Sequence, residues 1–238
     1  MQKNKFTTYL LYATGEIVLV VIGILIAVSL NNWNRERQAS ELSINYLQDV
    51  TSELENDIKN WSERKESNEV KIANIDETVL GLRSKEVTID RQFIAKMQRS
   101  FTNGPVTVNR TTYDDLVSSG NMGNIKPQKL RQSIIRHYNE IDGFIEHSKR
   151  EYDYVWNHFL PFFNNNGYFD WSQNISGIGR GSTQTESFIN ERIGSREFKA
   201  LENNLLFRKI TLSSQNENIG ESIQDTENLI QKIQNQLK

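Results

Sequence analysis

The segment Ile17–Leu30, IVLVVIGILIAVSL, constrains this chain more than any other: it holds eleven Val, Leu or Ile residues and no charge. Extended back through Tyr9, Leu10, Leu11, Tyr12 and Ala13, the run is long enough to cross a bilayer as a helix. At roughly −0.3 to −0.6 kcal/mol for each such residue, the segment contributes about −4 kcal/mol to insertion. A carboxylate at the bilayer centre costs roughly 3 kcal/mol on the same kind of scale, so Glu16 does not cancel the signal. The expectation is a short tail at 1–8, a transmembrane helix at 9–33 and a helical extramembrane domain at 34–238.

A cleaved signal peptide is the competing reading, with Lys3 and Lys5 as its basic region and Ala27-Val28-Ser29 as a small-x-small cleavage site. The apolar region exceeds the roughly 7–15 residues usual in such peptides, and Asn31, Asn32 and Trp33 follow it as interfacial groups do. The anchor is therefore the reading adopted. The basic flanks nearly balance, Lys3 and Lys5 before the span against Arg35 and Arg37 after it. Retention of the short tail in the cytoplasm favours a single-pass protein with its large domain outside the cytoplasm.

The chain of 238 residues has a net charge of −2, no cysteine and three histidines. Lys and Arg are interleaved with Asp and Glu and form no basic stripe, which argues against nucleic acid as a partner. His137, His147 and His158 form no tight ligand pair, so neither a metal nor a cofactor is expected. No Ser-His-Asp, Cys-His or two-carboxylate arrangement stands out, and the expected catalytic set is empty: this reads as a non-enzyme.

Beyond the span the pattern is all-α. Apolar residues at Ile44, Leu47, Leu54, Ile58, Trp61, Ile72, Ile75, Val79 and Leu82 mark one helix face that lapses at Lys65 and Asn68. That helix, about 35–84, would stand roughly 70 Å tall and run almost directly out of the membrane. A second helix is expected from Asp90, its cap, to Phe101, and a short one over Tyr113–Ser118 followed by a turn at Gly120–Gly123. A long helix starts at Pro127 and runs to about 160, with Pro161 ending or kinking it. The Asn- and Gly-rich stretch 164–186 reads as a loop. A final helix spans 195–237, its tail placing Ile219, Ile223, Thr226, Ile230, Ile233 and Leu237 on a coiled-coil-like seam. The architecture expected is an antiparallel bundle of long helices behind an N-terminal transmembrane helix.

Four places carry chemistry worth weighing. Glu16, Gly23 and Ala27 share one face of the span, and Gly23-x-x-x-Ala27 is a small-x-x-x-small packing pattern. They would pair the span with itself or with another membrane protein, Glu16 hydrogen-bonding across the contact. Alternatively Glu16 lies at headgroup level, or serves an ion route in an accessory subunit of an ion-driven membrane complex. The aromatic run around Trp156, Phe159, Phe163 and Trp171 is either core or a ligand or partner tip, the latter making the chain a sensing module that relays through a partner. Gly177-Ile178-Gly179-Arg180-Gly181 lacks the Lys-Ser/Thr ending of a phosphate loop and reads as flexible. Asp114 and Asp115, adjacent on a helix, fall on different faces and suit a helix N-terminus.

The stretch Tyr9-Leu10-Leu11-Tyr12-Ala13-Thr14-Gly15-Glu16 through Ala27, with Asn31-Asn32-Trp33-Asn34, resembles the N-terminus of an uncharacterised family of single-span membrane proteins of Bacteroidota. Its signature reads YxxGEIxLVVIGILIAxxxNNWN. Tyr113, Leu116, Ser118-Ser119-Gly120, Ile125, Leu130-Arg131 and Tyr138 are similar to its second block. The resemblance implies a helical, single-span inner-membrane protein and supplies no catalytic residues. Scaffold or assembly partner is the role expected.

Overall fold

The computed structural model describes residues 5–84, 91–101, 104–165 and 194–238. The described residues are helical with irregular connections and contain no strand. The first helix, α1, is Lys5–Arg83, 79 residues in one piece, about 120 Å long at 1.5 Å per residue. The apolar span and the stalk are thus a single rod. From Leu10 to Gln38 every side chain is exposed within the chain; burial begins at Ser43.

From there the buried positions of α1 are Ser43, Leu47, Val50, Leu54, Asp57, Trp61, Asn68, Ile75, Thr78, Val79, Gly81 and Leu82. From Ser43 to Ile75 the spacings are three, four or seven, the period of one face of a helix packed along its length, and the buried face widens beyond Ile75. The lapse expected at Asn68 does not occur: the residue is wholly buried and the face continues through it. The last helix, α6, is Arg196–Leu237, capped by Ser195, whose Oγ accepts the Phe198 N–H at 3.1 Å. It runs antiparallel to α1, as the pairs Arg83–Glu202, Asp76–Lys209 and Asn68–Gln215 show.

Between them the chain descends and climbs again. Helix α2, Arg91–Arg99, packs at the far end. An extended segment then leads to α3, Thr111–Ser118, and a 3₁₀ turn at Asn121–Asn124 near the foot of the bundle, the end from which the apolar part of α1 projects. The residue that expected turn hinges on is Gly120, at φ +74°, a conformation that L side chains adopt at a cost. Helix α4, Gln128–Tyr154, climbs beside α6, passes through a π turn at Val155–Phe159 and continues as α5, Leu160–Asn165.

Pro161 therefore does not end the helix. Proline lacks an N–H and collides with the carbonyl four residues back in a regular helix; the wider π turn immediately before it takes up that mismatch. Asn164 and Asn165, expected to open a loop, are the last residues of α5. The rest of that loop, with Gly177–Gly181, lies outside the described residues, as does the Asp90 cap.

The core has three apolar blocks stacked along the rod. At the foot Leu47, Val50 and Leu54 meet Leu116, Ile125, Ile134, Tyr138 and Ile233. In the middle Trp61 meets Val106, Ile141 and Ile219. At the far end Ile75 and Val79 meet Met97, Phe101, Phe159, Phe163 and Leu205.

Candidate functional site

On the span, Glu16, Gly23 and Ala27 stand seven and four residues apart on one side of α1, and all three are exposed. A side chain added at Gly23 would meet nothing within 4 Å. The most apolar stretch of α1 has mean hydropathy 2.4 and none of it is buried inside the chain. The residues are brought together by helix geometry alone, and the face they form has no partner within the described residues.

The aromatic residues are not one site. Phe159 and Phe163 are buried, with ring centroids 5.6 and 4.5 Å from that of Phe101, and belong to the far-end core. Trp156 on the π turn points outward, 48% exposed, its ring edge-on to Tyr152 at 5.8 Å. Tyr154, at the end of α4, and Phe207 of α6 form a separate exposed pair, their ring centroids 5.3 Å apart. Trp171 lies outside the described residues.

What sequence reasoning missed is a polar layer between the middle and far-end apolar blocks. Asn68 Nδ2 donates to Gln215 Oε1 and Asn216 Oδ1, both at 2.9 Å. Gln215 Nε2 donates to Glu151 Oε2 at 3.1 Å, and buried Arg208 donates from Nε to the Ser100 carbonyl at 3.2 Å. Arg64 donates to the carbonyls of Gly104 and Pro105, pinning the segment that enters α3. Burial lowers the Arg208 guanidinium to about 10 and the Lys71 ammonium to about 8, the latter pushed further by Arg64 and Arg208. Burial also raises the Glu151 carboxyl. Such a layer specifies alignment, because any slip of α6 along α1 would strand buried amides without partners. Its signal was the two-residue lapse in the apolar stripe, which reads as exposure until a partner stripe is found lapsing opposite it.

Nearer the foot, two carboxylates of α1 hold the entrance of α3. Glu53 accepts the Thr112 N–H at 3.0 Å and its hydroxyl at 2.8 Å, and Asp57 accepts the Asn109 N–H at 3.0 and 3.1 Å. The residue preceding α3, Arg110, makes no side-chain cap; the Thr111 N–H is taken by Asn109 Oδ1 at 3.4 Å, and the Thr112 N–H is satisfied from a neighbouring helix. Asp114 and Asp115 diverge as expected: Asp114 pairs with Arg110 at 3.1 Å, and Asp115 accepts the Tyr46 hydroxyl at 2.6 Å. Tyr113 stacks on Tyr138 at 4.0 Å.

Burial pushes the Asp57 carboxyl up to about 6, against the Asn109 hydrogen bond and with the help of Glu53. The folded chain thus holds this proton where the unfolded chain releases it, near pH 4. The penalty is absent below that pH, grows as pH rises through the window from about 4 to 6, and is complete at neutral pH. Asp57→Asn keeps an acceptor for Asn109 and removes the charge. It is expected to raise stability by about 1–3 kcal/mol at pH 7.5 and by nothing below pH 4. Thermal midpoints of both proteins at pH 3.5 and 7.5 check this; equal shifts at the two pH values would contradict it.

Between α4 and α6 a groove of about 350 Å³ is lined by Arg136, His137, Glu140, Asp225 and Lys232, among others. His137 is buried, and burial lowers it to about 4 although Asp225 draws the other way, so its imidazole is neutral at pH 7. Among the described residues no group of three or more His, Asp or Glu could hold a metal ion.

The model of a family of unknown function, DUF6090, matches residues 16–159, more than half of the chain. The match opens at Glu16 and takes in the capping carboxylates, α3 and the foot core apart from the residues of α6, and it ends with the π turn at Phe159. No curated protein and no solved structure matches the chain.

Proposed function

We propose that this chain, which belongs to the DUF6090 family of unknown function, is a membrane-anchored, non-enzymatic helical protein that works as a scaffold or assembly partner in the bacterial cell envelope. The observation that carries the reading is α1: an apolar face exposed all round from Leu10 to Leu30, rigidly continuous with a packed head. Apolar side chains in such number are stable only against lipid or a partner. The resemblance of the signature at 12–34 to Bacteroidota membrane proteins supports the inner membrane, and the flanking charges support a periplasmic head.

The span would associate through Glu16, Gly23 and Ala27 with a second copy or another membrane protein. The head would present its surface at a height fixed by the rod. Affinity purification of the full chain from its own membranes in mild detergent tests this. Recovery with a stoichiometric membrane protein, or as a defined oligomer, is the expected result; recovery as a monomer would sink the assembly role.

A second reading is a sensing module relaying through a partner, and the exposed Trp156 on the π turn favours it. Tryptophan emission that no added ligand or partner changes would remove it.

A further inference from the structure

We infer that the foot of the head binds an anionic phospholipid headgroup, an inference that rests on the membrane-anchored reading. A cleft of about 730 Å³ opens where α1 leaves the span, lined by Arg35, Glu36 and Ser40 of α1, Asn124 at the end of the 3₁₀ turn, Lys126 just beyond it, and Gln236 near the end of α6. Its height is set by the rod. Arg35 lies five residues past Leu30, the last apolar residue of the span, which is roughly 7.5 Å at 1.5 Å per residue. A leaflet's headgroup zone is roughly 5–8 Å thick, so the mouth of the cleft stands at the level of lipid phosphates.

The charge in the cleft matches that occupant. Arg35 and Lys126 take part in no ion pair among the described residues, whereas the neighbouring Arg37 is engaged by Glu41 at 2.9 Å. Two cations against the single carboxylate of Glu36 leave one positive charge, which suits a phosphodiester bearing one negative charge. Arginine reads phosphate oxygens through its planar fork and lysine as a point charge. Ser40, Asn124 and Gln236 offer neutral hydrogen-bonding groups to hydroxyls of a headgroup such as glycerol. The apolar Ile22, Leu25, Ile26, Leu30 and Trp33 lie directly below on the same helix as a track for acyl chains.

Phosphatidylglycerol is the probe. The full chain, in micelles doped with equal amounts of phosphatidylglycerol and phosphatidylcholine, is analysed by native mass spectrometry alongside alkaline extraction of its membranes. Wild type is expected to resist extraction and to retain phosphatidylglycerol at least about fivefold over phosphatidylcholine. Arg35→Gln/Lys126→Gln is expected to resist extraction equally and to lose the preference. A wild-type chain that resists extraction yet shows no preference, or a variant that keeps it, overturns the lipid site alone. Release of the wild type by alkali overturns the anchored reading and the lipid site together. Displacement of the lipid by millimolar glycerol 3-phosphate would show a site for a free phosphate ester, and also overturns the inference.

Discussion

Trp61→Ala is expected to destabilise the head by about 3–5 kcal/mol, the range for removing a fully buried large aromatic side chain. Trp61 is 1% exposed at the centre of the middle apolar block. Its indole N–H donates to the Thr107 carbonyl at 3.0 Å, and its ring meets Phe144 edge-on at 5.9 Å. The substitution opens a cavity, strands that carbonyl and frees the segment that delivers α3. For a head of this size each kcal/mol shifts the melting midpoint by about 2–4 °C, so a fall of roughly 6–20 °C follows. Trp61→Phe keeps most of the volume and loses the hydrogen bond, for which about 1–2 kcal/mol is expected. Differential scanning of both variants in detergent checks the order; an alanine variant within 2 °C or so of wild type would contradict the packing described.

Gly23→Leu is expected to weaken association of the span by roughly tenfold, the equivalent of about 1.4 kcal/mol. Leucine fits the isolated rod without conflict, since nothing lies within 4 Å of a side chain at that position. It is a good helix former and more apolar than glycine, so neither the helix nor insertion suffers. The loss would fall on close approach of a second backbone alone. Glu16→Gln retains a hydrogen-bonding group on the same face and is expected to preserve association; an abolished activity with assembly intact would instead favour the ion-route role. Size analysis in mild detergent and crosslinking in membranes read both variants, and an unchanged assembly for Gly23→Leu would contradict the face proposed.

The parts of this fold legible in sequence are those set by local chemistry. The long apolar helix follows from an uninterrupted apolar run, α6 from its three-and-four spacing, and the start of α4 from Pro127. What sequence could not supply is what depends on a distant partner. Asn68 looks like a gap in a stripe until Gln215 and Asn216 stand opposite it. Glu53 and Asp57 look like solvated surface until the backbone of Asn109 and Thr112 arrives. The helix passes Pro161 because a π turn precedes it, and nothing in the local residue pattern announces that turn. The aromatic run divides for the same reason: Phe159 and Phe163 meet Phe101 from α2's end, while Trp156 meets only its own helix and solvent. Glu16, Gly23 and Ala27, in contrast, fall on one side of α1 by helix periodicity, without help from any other element.

The central claim is that this face of the span is a contact surface. Photocrosslinking amino acids placed singly at 23, 25 and 27 of the full chain, irradiated in its own membranes, test it most directly. Position 25 lies on the opposite side of the helix from 23 and 27. The account predicts adducts from 23 and 27, with a second copy or with another membrane protein, and none from 25. Equal adducts from all three positions, or none from any, would contradict it.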